Sequence, residues 1–108
     1  MDPLDILETV ADLDAVAAAS QDGPVIVYKH SLTCPISARA QEQVVGLTDP
    51  PRYALAVQYA KDVSDAVAER FGVPHASPQL LVVESGKVML ELTHDDIREE
   101  AVREALER

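Results

Sequence analysis

The stretch VIVYKHSLTCPISARAQEQVVGL, residues 25–47, decides how the rest of the chain is read. Its first five residues, Val25 to Lys29, form a short β-branched run between Pro24 and a polar segment. That pattern belongs to a strand buried on both faces. Beyond Cys34 and Pro35 the period changes: Ile36, Ala40, Val44 and Leu47 recur at helical spacing. Asp49-Pro50-Pro51 stops this helix, because proline restricts both itself and its predecessor. The chain therefore passes from strand to helix within a few residues, and its single cysteine lies at that junction.

Toward the N-terminus, Asp2 followed by Pro3 reads as a helix cap with proline at the first helical position. Leu4, Leu7, Val10 and Ala11 extend this helix into the alanine-rich AVAAAS, and Asp22-Gly23-Pro24 ends it. Toward the C-terminus, YALAVQYA (residues 53–60) alternates as a strand, with Leu55, Val57 and Tyr59 on one face. A helix capped by Asp62 carries Val63, Ala66, Val67 and Phe71, and Gly72 supplies its left-handed end. LLVVE, a Ser85-Gly86 turn and KVMLEL form an antiparallel hairpin. Thr93 and Asp96 resemble a capping box for a last helix whose core face is Ile97, Ala101, Val102 and Ala105.

The expected order is αβαβαββα in one domain over residues 1–108, an α/β protein with a mixed four-stranded sheet flanked by helices. Strands joined through helices are expected to run parallel, and the closing hairpin antiparallel. This is the arrangement of the thioredoxin-like fold, although another small α/β sandwich fits the same periodicity.

Nineteen acidic and nine basic residues give a formal charge of -10. Such a surface disfavours nucleic acid and anionic membranes as partners. The N-terminus shows no basic, apolar leader pattern, and no apolar run approaches a membrane span, so a cytoplasmic protein is expected. One cysteine makes no intramolecular disulfide, which suits a reducing compartment. The three histidines, His30, His75 and His94, lack close ligand spacing, so no metal site is expected.

At a strand-to-helix junction, the unpaired N–H groups of the helix point at the Cys34 sulfur. They favour the thiolate and lower a pKa that begins near about 8.5. Pro35 at the first helical position sacrifices no hydrogen bond. Ser37, one turn on, can donate to the thiolate; Thr33 can do the same or cap the helix. The competing reading is a small buried hydrophobe, but Ser31, Thr33, Pro35 and Ser37 are not a core pattern. Pro78, before the LLVVE strand, reads on propensity alone as an ordinary strand-opening proline.

YKHSLTCPIS (residues 28–37), FGVPHASPQLLVVESGKV (residues 71–88) and the ELTH before the last helix together resemble the monothiol bacilliredoxin family. The resemblance implies a thioredoxin-like cytosolic thiol–disulfide oxidoreductase, with no bound cofactor, that uses bacillithiol as its thiol co-substrate. It implies that Cys34 removes bacillithiol from S-bacillithiolated client proteins through a Cys34 mixed disulfide. A low-molecular-weight thiol from outside must then reset Cys34, because Ser37 stands where dithiol relatives carry a resolving cysteine. It also implies a cis Pro78 beside the reactive cysteine, with Ser77 offering backbone groups to the substrate. The family tends to place an aromatic residue after the histidine that precedes the last helix; this chain has Asp95 there.

Bacillithiol carries a malate, so a protein of charge -10 needs local cations to receive it. His30 and His75 are the leading candidates, ahead of Lys29 and Arg39. Lys29 reads as a strand-end residue whose stem packs while its ammonium reaches solvent. His94 reads as capping or solvating a helix start. A monomer is expected. A non-catalytic peptide-binding module and a redox sensor modified at Cys34 are the rival readings.

Overall fold

The computed structural model describes residues 5–31, 35–46 and 51–107. The elements are β1 (Asp5–Ile6), α1 (Asp12–Gln21), β2 (Val25–His30), α2 (Pro35–Val45), β3 (Arg52–Ala56), α3 (Lys61–Phe71), β4 (Gln79–Glu84), β5 (Lys87–Thr93) and α4 (Glu99–Leu106). A 3₁₀ turn, His94–Asp96, links β5 to α4. The strands form one sheet in the order β1-β3-β2-β4-β5.

β2 and β4 sit centrally and are buried on both faces. Side chains alternate across a strand, so each central strand feeds two cores. Val25, Val27, Leu81 and Val83 pack with Leu13 and Val16 of α1 and Val63 and Val67 of α3. Ile26, Tyr28, Leu80 and Val82 pack with Ala40 and Val44 of α2 and Val102 of α4. Each such aliphatic side chain contributes about 1.5–3 kcal/mol on burial. A register slip of one residue would exchange the two sets, so both cores fix the register together.

Five expectations are corrected. The N-terminal helix does not extend back to residue 3: Asp5–Ile6 is a two-residue edge strand, parallel to β3. It adds a fifth strand to the four expected, and the Asp2-Pro3 cap lies outside the described residues. The Leu7 N–H donates to the Ala54 carbonyl at 2.8 Å, so this segment satisfies its backbone through the sheet. β3 ends at Ala56, and residues 57–59 turn rather than continue the strand; Tyr59 is 85% exposed. The last helix starts at Glu99, and Thr93 makes no side-chain cap; the 3₁₀ turn intervenes.

The fourth correction concerns direction. β2 and β3 are parallel across α2, as expected, but β4 is antiparallel to β2 although α3 precedes it. Gly72 closes α3 in the left-handed conformation at φ 67°, with Val73 N–H bonding back to the Ala68 carbonyl at 3.1 Å. Residues 73–78, neither helix nor strand, then run back beside α3, with His75 against Ser64. Eleven helical residues span about 16 Å, and six residues of chain reach up to about 20 Å. The return therefore cancels the helix, and β4 starts at the sheet end where β3 finished.

Asp62 does not cap α3 either: the helix begins at Lys61 with Ala60 before it, and Asp62 accepts the Val63 N–H from inside the first turn. Leu47 and Asp49-Pro50, read as the end of α2, lie outside the described residues. Ser85 (φ 53°) and Gly86 (φ 75°) make the tight hairpin turn between β4 and β5. Its tip is tied to the end of α1: Ser85 N–H reaches the Ser20 carbonyl at 2.7 Å, and Gly86 N–H reaches Ser20 Oγ at 3.0 Å.

Candidate functional site

The register brings one end of the sheet together. His30 pairs with Ala56, Lys29 with Gln79, and Gln79 with Thr93, so β2, β3 and β5 finish where β4 begins. The first residues of α2 and α3, Pro35 and Lys61, follow directly from the ends of β2 and β3. Of the candidate residues, His30, Pro35, His75, Ser77 and Pro78 lie at this pole. Thr33 and Cys34 lie outside the described residues. Pro35 opens α2 and Ser37 lies in its first turn, which carries no acidic residue.

The run into Cys34 is tied to its neighbours. Val57 N–H donates to the His30 carbonyl at 2.9 Å, and Gln58 Nε2 donates to the Ser31 hydroxyl at 3.0 Å. Both anchor the turn after β3 against the last residues before the cysteine. His30 is half-buried beside Tyr28, whose hydroxyl lies 2.9 Å from His30 Nδ1. The two rings are 5.7 Å apart and tilted by 53°. Burial holds the His30 pKa below the ordinary histidine value.

Across β4, the peptide bond between Ser77 and Pro78 is cis. Pro78 is buried, and its carbonyl accepts the His94 N–H at 3.1 Å. His94 thus stands at this pole with a positive φ of 53°, opening the 3₁₀ turn rather than capping α4. His30, His75 and His94, far apart in sequence, are gathered at one end of the sheet. Among the described residues, no group of three or more His, Cys, Asp or Glu is placed to hold a metal ion.

Lys29 differs most from its expected setting. It is 1% exposed rather than solvated. Alternation along β2 turns it to the same face as Val25 and Val27, where α3 covers it. Its Nζ donates to the Ser64 carbonyl at 2.9 Å and lies 3.3 Å from His75 Nδ1. Ser64 Oγ lies 3.2 Å from the same ring nitrogen. Burial pushes the Lys29 pKa below the ordinary lysine value, opposed by the charge of Asp65. Gln79, its partner across the strands, is also fully buried. Gln79 Nε2 donates to the Pro74 carbonyl at 3.0 Å and to Glu91 Oε2 at 2.8 Å. Lys29 and Gln79 together hold the segment leading to Ser77 and Pro78. Sequence reasoning missed Gln79, and it named Lys29 and His94 but gave each the wrong setting. The signal available was the continuation of the Val25–Val27 alternation onto Lys29.

Two comparisons bear on this arrangement. Residues 5–102 match the family model described as monothiol bacilliredoxin BrxC. A solved thioredoxin-fold structure, named for an oxidoreductase, is 32% identical, with 94% of this chain and 92% of that one covered and a TM-score of 0.84. The fold extends to thioredoxin of Fasciola hepatica, at 19% identity, 97% and 98% coverage and a TM-score of 0.73. It extends equally to thioredoxin O2 of Arabidopsis thaliana, at 20% identity, 97% and 95% coverage and a TM-score of 0.75.

Proposed function

Because this chain belongs to the monothiol bacilliredoxin family, we propose that it is a thiol–disulfide oxidoreductase that removes bacillithiol from protein mixed disulfides through Cys34. One observation carries the reading: the only cysteine directly precedes Pro35, the residue that opens α2. A helix start presents unpaired N–H groups and the positive end of the helix dipole, and both favour a thiolate. The absence of acids from the first turn of α2 keeps that field unopposed locally, in a chain of charge -10.

The Cys34 thiolate attacks the bacillithiol sulfur of the client mixed disulfide. The client sulfur leaves with the electron pair and takes a proton from solvent, and a Cys34–bacillithiol disulfide remains. A second bacillithiol thiolate then attacks the bacillithiol sulfur of that adduct. This releases bacillithiol disulfide and regenerates the Cys34 thiolate. With a single cysteine, no intramolecular step can replace the second exchange. Ser77 and Pro78 flank the substrate in this reading, Thr33 and Ser37 support the thiolate, and His30 and His75 face the ligand. No bound cofactor is required. We place the protein in the cytoplasm, as a monomer acting on client proteins; among the described residues, no helix is long and apolar enough to cross a membrane.

The test is mass spectrometry on a bacillithiolated client protein incubated with wild type, Cys34→Ser or Cys34→Ala. Bacillithiol mass is expected on Cys34 of the wild type, with release of the client thiol, and neither variant should remove it. Persistence of the client adduct with wild type refutes the reading. With free bacillithiol added, turnover should be multiple; arrest after one adduct would identify a sensor instead.

A further inference from the structure

Lysine is among the residues least often fully buried, and Lys29 is buried without a carboxylate within ion-pair distance among the described residues. Its contacts are a carbonyl oxygen and an imidazole nitrogen. Burying an amine for structure alone is expensive, and an aliphatic residue would fill the same space beside Val25 and Val27. The imidazole contact shows what the amine does. A lysine ammonium has three N–H donors and no acceptor, so opposite it His75 Nδ1 is the acceptor. The Ser64 hydroxyl, 3.2 Å from the same atom, can donate there as well. Two donors aimed at Nδ1 leave the ring proton on Nε2.

His75 itself is exposed, two residues before Ser77 and the cis Pro78. Its Nε2–H thus lies on the side of the ring away from Lys29 and Ser64, at the pole where β2 leads toward α2. A histidine whose proton position is set from behind by a buried residue is a fixed donor rather than a mobile one. The ligand in the proposed reaction brings carboxylates to a protein of charge -10. A fixed N–H donor at this place is the group such a carboxylate requires.

We propose that Lys29 is a positioning residue that holds His75 with Nε2–H outward, and that His75 receives the malate carboxylate of the bacillithiol adduct. This rests on the bacillithiol reading of Cys34. It makes the pair a determinant of which low-molecular-weight thiol is recognised, separate from the nucleophile.

The experiment uses one client peptide carrying either bacillithiol or an analogue that lacks the malate carboxylates. Wild type should prefer the malate-bearing substrate in kcat/KM by about ten-fold, the range of one charge-assisted hydrogen bond. His75→Ala and Lys29→Met should both bring that ratio close to unity. Nitrogen-15 spectra should show His75 of the wild type protonated at Nε2 and unprotonated at Nδ1. S-methyl bacillithiol, which cannot exchange, should shift the Nε2 resonance. An unchanged preference in the two variants, no preference in an active wild type, or a proton on Nδ1 overturns the inference. Should Lys29→Met fail to fold, His75→Ala and the spectra still decide. A wild type that binds S-methyl bacillithiol at His75 but removes no adduct instead overturns the proposed reaction and leaves the recognition role standing.

Discussion

Lys29 and Gln79 face one another across β2 and β4, and both are buried in the centre of the sheet. Each gives one side-chain contact to the segment that returns from α3, Lys29 to His75 and Gln79 to the Pro74 carbonyl, and a second elsewhere, Lys29 to Ser64 and Gln79 to Glu91. Among the described residues Gln79 Oε1 has no hydrogen-bond partner, while its nitrogen holds Pro74 and Glu91. Gln79→Met should therefore cost about 1–2 kcal/mol, since the Pro74 carbonyl loses a buried donor. Urea unfolding measures this, and an unchanged midpoint would show that the amide holds nothing.

The Tyr28–His30 pair gives the fold a pH dependence of definite sign. Burial lowers the folded-state pKa of His30. Above about pH 6.5 the imidazole is neutral in both folded and unfolded chains, and no difference arises. Below that value the unfolded chain takes up a proton that the folded one resists, so stability falls as pH drops toward the depressed pKa. His30→Gln should flatten the thermal midpoint between pH 7 and 5 relative to wild type. Parallel profiles would contradict this.

Asp12 gives a dependence of the same sign in a more acidic range. Its carboxylate accepts the N–H of Glu8 at 2.8 Å and of Thr9 at 3.0 Å, and these bonds lower its pKa, the Glu8 bond most. The stabilisation is present above the unfolded value near about 3.9 and is lost as pH falls through the folded one. Asp12→Asn should lower the thermal midpoint at pH 7, and the gap from wild type should close under acid.

Tyr59 and Leu55 separate the strand from the turn that follows it. Leu55 is buried and Tyr59 is 85% exposed. Leu55→Ala should cost about 2–5 kcal/mol, and Tyr59→Ser should stay within about 0.5 kcal/mol. Equal costs in chemical denaturation would restore Tyr59 to a core strand.

Ser37, in the first turn of α2, is read as donating to the Cys34 thiolate. Ser37→Ala should raise the Cys34 pKa and slow its alkylation at neutral pH about five-fold, the worth of one such bond. A rate profile against pH that matches wild type would remove Ser37 from the mechanism.

Periodicity carried most of this fold because β2 and β4 each hold an unbroken apolar run, Val25–Tyr28 and Leu80–Val83, and α2 and α3 present regular apolar stripes. It failed where two structures share one pattern. Leu4 and Leu7 fit a helix stripe as well as an edge strand, and only the Asp12 carboxylate, bonded to two preceding N–H groups, marks the turn between them. Val57 and Tyr59 continue the alternation of β3, but the chain leaves the sheet once Ala56 has paired with His30. At the site, the junction holding Cys34 and the Ser77–Pro78 bond were legible, the latter through family resemblance alone. Lys29 was not: a charge at a strand end suggests water, and only the packing of α3 over that face reverses this. The direction of β4 was likewise invisible, because it depends on the length of the return after Gly72.

The Ser20 rivet on the hairpin tip has a consequence for motion. It clamps the pole of the sheet opposite His30 and the Ser77–Pro78 bond, where α1 ends and β4 turns into β5. The amides of β4 and β5 next to that turn are then freed only when the whole molecule opens. Hydrogen exchange along each central strand should slow from the Ser77–Pro78 end toward the hairpin, giving the sheet a graded stiffness, supple where the three histidines gather and rigid behind.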